Sequence, residues 1–178
     1  MKKLESTWYN MSLVLTGIAV VAGAALGYVN SITAPTIANI KAQQEKAAEA
    51  EVLNGQDGKA VKITDPKGFG GPLTVMVGLA PNGTILGYKV LESSETPGLG
   101  AKAQEWFQKG QKGDIIGKTA GSLTVSKDGG DVDAITASTI TSRAFLRCIN
   151  AAYEELSKTS ADTESGATKQ ASDPNNNI

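Results

Sequence analysis

The chain has 178 residues, with 17 basic side chains against 18 acidic ones and no histidine. The length allows one domain of moderate size plus accessory segments, and the near-neutral charge leaves no basic field to hold nucleic acid. Its single cysteine, Cys148, excludes an intrachain disulfide framework and any Cys-rich zinc or iron–sulfur site. The missing histidine removes the commonest general base and the commonest metal ligand. Redox chemistry in such a chain has to be carried by an organic cofactor, with the protein supplying binding, orientation and electrostatics.

The first expected element is a transmembrane helix over 9–30, preceded by a cytoplasmic stretch at 1–8. From Met11 to Val29 the chain reads MSLVLTGIAVVAGAALGYV, without a charge. That approaches the roughly 20 residues needed to cross about 30 Å of hydrocarbon. Trp8 and Tyr9 at one end and Tyr28 at the other sit where aromatic rings favour the interface. Lys2 and Lys3 precede the run and Lys41 is the first cation after it, which places the short N-terminus in the cytoplasm and the rest outside. A cleaved signal peptide shares the basic start and the apolar core, but its core is usually about 7–15 residues, shorter than this run. Ala19, Gly23 and Gly27 recur at i, i+4 and i+8. They form either a face for close helix–helix packing in lipid, which implies membrane-embedded partners, or the ordinary small-residue content of such helices.

A helical connector follows over 31–55: beyond Pro35 the chain is rich in strong helix formers and stops at Gly55. The globular body is expected over 56–159. Its clearest β signal is Asn82-Gly83 between the apolar runs Leu73 to Ala80 and Thr84 to Glu92, a hairpin in which asparagine and glycine tolerate positive φ. A short helix around Ala101 to Lys109 offers Trp106 and Phe107 for packing, and Leu123 to Ser126 and Val132 to Ile135 read as short strands around the turn Lys127 to Gly130. In the last helix Phe145, Ile149, Ala152 and Leu156 recur at helical spacing, with Arg143, Arg147, Asn150, Glu154 and Lys158 opposite and Cys148 a small apolar member. From 160 to 178 the composition is that of a disordered tail. The fold class is therefore α+β: a small, mostly antiparallel sheet with packed helices behind one N-terminal membrane helix.

Two stretches stand apart. Asp133 to Arg143 packs Thr136, Ser138, Thr139, Thr141 and Ser142 into a strand-to-helix junction. With Ser138 as N-cap, Thr139 lies in the first turn, where free amides and the positive dipole end favour a phosphate. On these residues alone, a helix cap with a polar first turn is the favoured reading. The second stretch is Glu95-Thr-Pro-Gly-Leu-Gly-Ala-Lys102. Pro97 fixes one φ while Gly98 and Gly100 open others, so backbone amides can approach a planar ligand; a plain surface turn has the same composition.

Together, in this order and behind one membrane helix, these stretches resemble the FMN-binding G subunit of the Rnf ion-translocating electron-transport complex. The C subunit of the sodium-translocating NADH:quinone reductase is similar in sharing that domain. The family's loop reads ETPGLG, here Glu95 to Gly100, and its flavinylation motif runs Asp…[Ser/Thr]-Gly-Ala-Thr-x-Thr-Ser, here Asp133…Thr136-Ala137-Ser138-Thr139-Ile140-Thr141-Ser142. Ala137 stands where glycine is usual, and Ser138 where alanine is usual. The resemblance implies FMN held covalently by a phosphoester on Thr139, attached by a separate flavin transferase that recognises a motif including Asp133. It implies Glu95, Thr96, Gly98, Leu99 and Lys102 as candidates for holding or tuning the ring. It further implies an electron-carrying subunit rather than a complete enzyme, relaying between ferredoxin and NAD in a bacterial inner membrane beside other Rnf subunits. No metal is implied. A stand-alone exported FMN-binding electron carrier and a non-enzymatic membrane-anchored adaptor are the alternatives.

Overall fold

The computed structural model describes residues 8–167. Helix α1 spans Trp8–Leu53 without interruption, so the expected membrane helix and connector are one helix with Pro35 inside it. Proline in a helix interior removes one hydrogen bond and costs about 3 kcal/mol. Here helix formers continue on the C-terminal side. Before the proline, the hydroxyls of Ser31 and Thr33 donate to the Tyr28 and Val29 carbonyls at 2.8 Å each. The helix stops where expected: Asn54 and Gly55 both take positive φ, at 46° and 70°.

The chain forms two compact units, 1–44 and 45–178. The described residues of the first, 8–44, are helix alone. Its apolar residues, Leu13, Leu15, Val21 and Leu26 among them, are exposed, and by length and composition it is a candidate membrane span with a mean hydropathy of 2.0. Lys2 and Lys3, on which the expected orientation rests, lie outside the described residues.

The second unit is the body. Strands β1 (Lys59–Asp65), β2 (Leu73–Leu79) and β3 (Ile85–Ser93) form an antiparallel sheet in the order β1-β2-β3. The β2–β3 hairpin turns at Asn82-Gly83, with Gly83 at φ 81° and the Asn82 side chain accepting from the Thr84 amide at 3.0 Å. Strand β1 is not among the expected elements. It is an edge strand carrying Lys59 and Lys62, which blunts its apolar alternation.

β2 is buried on both faces. Leu73, Val75, Val77 and Leu79 point into the main core with Val61, Tyr88 and the inner side of α3, Thr139–Ala167. There Phe107 stacks on Phe145 at 4.3 Å between ring centroids, and Tyr88 meets Phe145 edge-on at 4.7 Å. On the other face Met76 packs with Ala48 and Val52 from the last turns of α1. The helix comes that close because the paired residues Gly78 and Gly87 lack side chains: a Cβ there would lie 2.4 Å and 2.8 Å from the Val52 carbonyl oxygen.

Three further expectations are modified. The short helix is a 3₁₀ turn at Gly100–Lys102 running into α2, Ala103–Trp106. The strands expected at 123–126 and 132–135 reduce to one parallel bridge, Val125 to Val132, because a 3₁₀ turn at Ser126–Asp128 and Gly129 at φ 87° take up the chain between them. Helix α3 runs on to Ala167, into the expected tail; residues 168–178 lie outside the described ones.

Candidate functional site

The first turn of α3 begins where the hydroxyl pattern places it. Thr139 is the first helical residue, and the first helical bond runs from the Ser142 amide to the Ser138 carbonyl at 3.0 Å. The amides of Thr139, Ile140 and Thr141 stand ahead of that bond, at the positive end of the helix. Ser142 is fully buried; its hydroxyl accepts from the Ile135 amide and donates to the Ser138 carbonyl, each at 2.9 Å. This side chain fastens the entering segment to the helix.

Ala137 has φ 61°, a conformation closed to most L-residues at a cost of order 1–3 kcal/mol and open to glycine. It closes the turn in which the Ser138 amide donates to the Ile135 carbonyl at 3.0 Å. The departure from glycine at this position is thus not neutral, as size alone suggests: the backbone there favours glycine.

Beside this turn lies a cavity of about 330 Å³, lined by Phe69, Glu95, Thr96, Leu99, Gly100 and residues 137–141. Ligand sites usually begin at about 300 Å³. Glu95 is buried at its base, accepting from the Phe69 amide at 2.7 Å through Oε1 and from the Thr141 hydroxyl at 2.9 Å through Oε2. One carboxylate therefore ties the β1–β2 loop, the glycine loop and α3 together. Gly100 permits this: a Cβ there would lie 2.5 Å from Glu95 Oε2 and 2.8 Å from Thr141 Oγ1. Phe69, Leu99 and Ile140 line the cavity and present exposed apolar side chains there, together and not scattered singly.

Of the residues singled out from sequence, Glu95, Thr96, Leu99, Ser138, Thr139 and Thr141 line the cavity. Gly98, Lys102, Thr136, Ser142 and Asp133 do not. Gly98 adopts φ 77° and shapes its loop. Asp133 holds neighbours in place: its backbone carbonyl accepts from the Trp106 indole at 2.8 Å and its carboxylate from the Ser126 hydroxyl at 3.3 Å. Gly100, Ala137 and Ile140, within the two stretches, also line it; Phe69 lies outside both stretches and escapes sequence reasoning, although an aromatic among the glycines of Gly68-Phe-Gly-Gly71 is a readable signal.

The turn at Ser126–Asp128 lies beside Thr139, outside the cavity lining. Lys127 Nζ donates to Thr139 Oγ1 at 3.3 Å, and Asp128 accepts two bonds from Arg143, at 2.6 and 2.7 Å. The Arg143 guanidinium holds the Asp128 carboxyl below the usual carboxylate range.

Thr139, half-buried at the helix start, thus borders a cavity that also carries exposed apolar side chains, an arrangement compatible with a phosphate-bearing planar ligand. Residues 68–154, which include every residue lining the cavity, match the FMN-binding domain family. Among curated relatives, the chain is 33% identical over 121 residues to the G subunit of the ion-translocating oxidoreductase complex of Vibrio atlanticus, covering 65% of this chain and 58% of that one. It is 40% identical over 96 residues to the protein of the same name from Salmonella typhi, covering 52% and 47%. The chain thus spans about half the length of those relatives. To the G subunit of the Na+-translocating ferredoxin:NAD+ oxidoreductase complex of Acetobacterium woodii it is 29% identical over 206 aligned positions, 88% of this chain and 98% of that protein.

Proposed function

We propose that this chain carries FMN as a phosphoester on Thr139 and relays electrons as a membrane-anchored subunit of an ion-translocating oxidoreductase complex. The observation that carries the reading is the position of Thr139: it opens α3, borders the cavity and lies within the FMN-binding match. When bound, FMN supplies one- and two-electron redox chemistry. The chain's residues do the rest. The amides at the start of α3 receive the phosphate. Phe69, Leu99 and Ile140 offer apolar surface to the ring, with Thr96 beside them, and Glu95 keeps the three segments in register.

Attachment requires a partner enzyme, a flavin transferase using FAD. The Thr139 Oγ–phosphorus bond forms, the pyrophosphate bond of FAD breaks, AMP leaves and the hydroxyl proton is released. The tether keeps the flavin at high local concentration while it exchanges electrons with its partners. The similarity to these relatives, whose names place them in ion-translocating oxidoreductase complexes, supports ferredoxin and NAD as the ends of that relay and other subunits of the complex as partners. The near-complete alignment to the Acetobacterium relative favours a subunit over a stand-alone carrier. The N-terminal pair Lys2 and Lys3 supports a cytoplasmic N-terminus in the inner membrane with the body on the outer face.

Co-expression with a flavin transferase, followed by intact mass, tests the attachment. The parent should gain the mass of FMN less one water, as ester formation requires, and Thr139→Ala should not. Modification retained in that variant would overturn the site, and an unmodified parent alongside a modified control substrate would favour the adaptor. A cytoplasm-only reporter fused after Ile178 should be silent; activity there would reverse the orientation.

A further inference from the structure

We propose that Lys127 is the cation that faces the phosphate of a flavin held on Thr139. The inference rests on the attachment reading above and adds to it the side chain that balances the charge of the ester. Lys127 Nζ already donates to Thr139 Oγ1 at 3.3 Å, the oxygen through which the ester would form. A phosphorus bonded to Oγ1 carries its free oxygens one bond further out, within reach of an ammonium at that distance. An ammonium beside a phosphate makes a charge-assisted bond and acts as a point charge, which suits a lysine.

The fold puts Lys127 there by a specific route. Arg143 lies four residues after Thr139, so both occupy one face of α3, one turn apart. Asp128 clamps Arg143 with two short bonds, and this brings the preceding residue, Lys127, over Thr139. On the other side, the Ser126 hydroxyl donates to Asp133, and the bridge from Val125 to Val132 anchors the turn to the core. Gly130 completes it: a Cβ there would lie 2.1 Å from the Thr124 carbonyl oxygen. The ion pair of Asp128 with Arg143 is internally neutral, so it positions the turn while leaving the Lys127 charge to the ester. Asp133, outside the cavity lining, thereby gains a physical part in the motif: it steadies the turn that carries Lys127.

The test uses the full chain in detergent with a flavin transferase and FAD, comparing the parent with Lys127→Gln, Lys127→Arg and Thr139→Ala. Lys127 is exposed, so its variants should fold as the parent does. Time courses by intact mass should show the Gln variant loading roughly two- to fivefold more slowly, the size expected of one exposed charge pair, and the Arg variant loading like the parent. Because a slower rate alone could reflect transferase docking, the second readout is ³¹P NMR of the fully loaded proteins without the transferase. The phosphodiester resonance should move in Lys127→Gln and stay near the parent position in Lys127→Arg. A resonance unchanged in Lys127→Gln, with FMN demonstrably on Thr139, would overturn the role of Lys127 and leave the attachment reading standing. Absence of FMN from Thr139 in the parent would overturn both.

Discussion

Thr139 to Thr141 and Phe145 to Ala152 belong to one helix, yet the first group borders a cavity and the second packs its inner side against the sheet. In the first turn the hydroxyls of Thr139 and Thr141 meet Lys127 and Glu95, Ile140 is exposed, and the entering residue Ala137 is held at φ 61°. One turn later Phe145 stacks on Phe107 and meets Tyr88 edge-on, and Ala144, Cys148, Ile149 and Ala152 have no exposed surface. The difference teaches how a small domain hosts a site. The interior turns supply rigidity, so the first turn can keep strain and open space without unravelling the helix.

The comparison can be broken most severely from the interior side. Phe145→Ala should remove about 3–5 kcal/mol of body stability, because it deletes two aromatic contacts and leaves a cavity; chemical denaturation of the full chain in detergent would measure it. Gly78→Ala should cost about 1–3 kcal/mol by forcing the end of α1 off the sheet, seen in the same assay.

A smaller effect comes from Asp65, which accepts 2.6 Å bonds from Arg147 and from the Lys67 amide. Burial alone would raise its carboxyl, but the Arg147 bond and then the Lys67 amide outweigh burial and bring it below the usual range. Since the folded value is the lower one, the stabilisation is complete above the unfolded value near about pH 4 and is lost as pH falls through the folded value. Asp65→Asn should therefore cost about 1–2 kcal/mol at pH 7 and flatten the acid limb of a stability–pH curve. The smallest change sharpens the contrast from the site side. Ala137→Gly should stabilise the body by about 0.5–1 kcal/mol, read as a raised Tm, because it relieves the positive φ. A loss there would mean that the first turn is not strained.

Periodicity makes the β2–β3 hairpin and α3 legible in the sequence, because each buries one coherent face over several residues. β1 is hidden by the lysines that an edge strand carries, and the 123–135 segment by its shortness: two valines pair, but no ladder has room to form. The site is legible where local chemistry concentrates, at Thr139 and in the glycine loop. What escapes depends on tertiary approach. Phe69 reaches the cavity only because Glu95 holds its amide, and Lys127 meets Thr139 only because Asp128 grips Arg143. The cost of the alanine at 137 needs a backbone angle, which side-chain size does not reveal.

Cys148 has a practical consequence. Its thiol is fully buried, donates toward the Leu73 carbonyl at 3.7 Å, and is pushed up to about 12 by burial. The chain's single sulfhydryl is therefore chemically silent at neutral pH. Any cysteine introduced on the exposed surface becomes the one reactive handle, with no need to delete the native residue. A nitroxide or fluorophore installed at position 69 or 99 would report on the cavity mouth against a background free of competing labels.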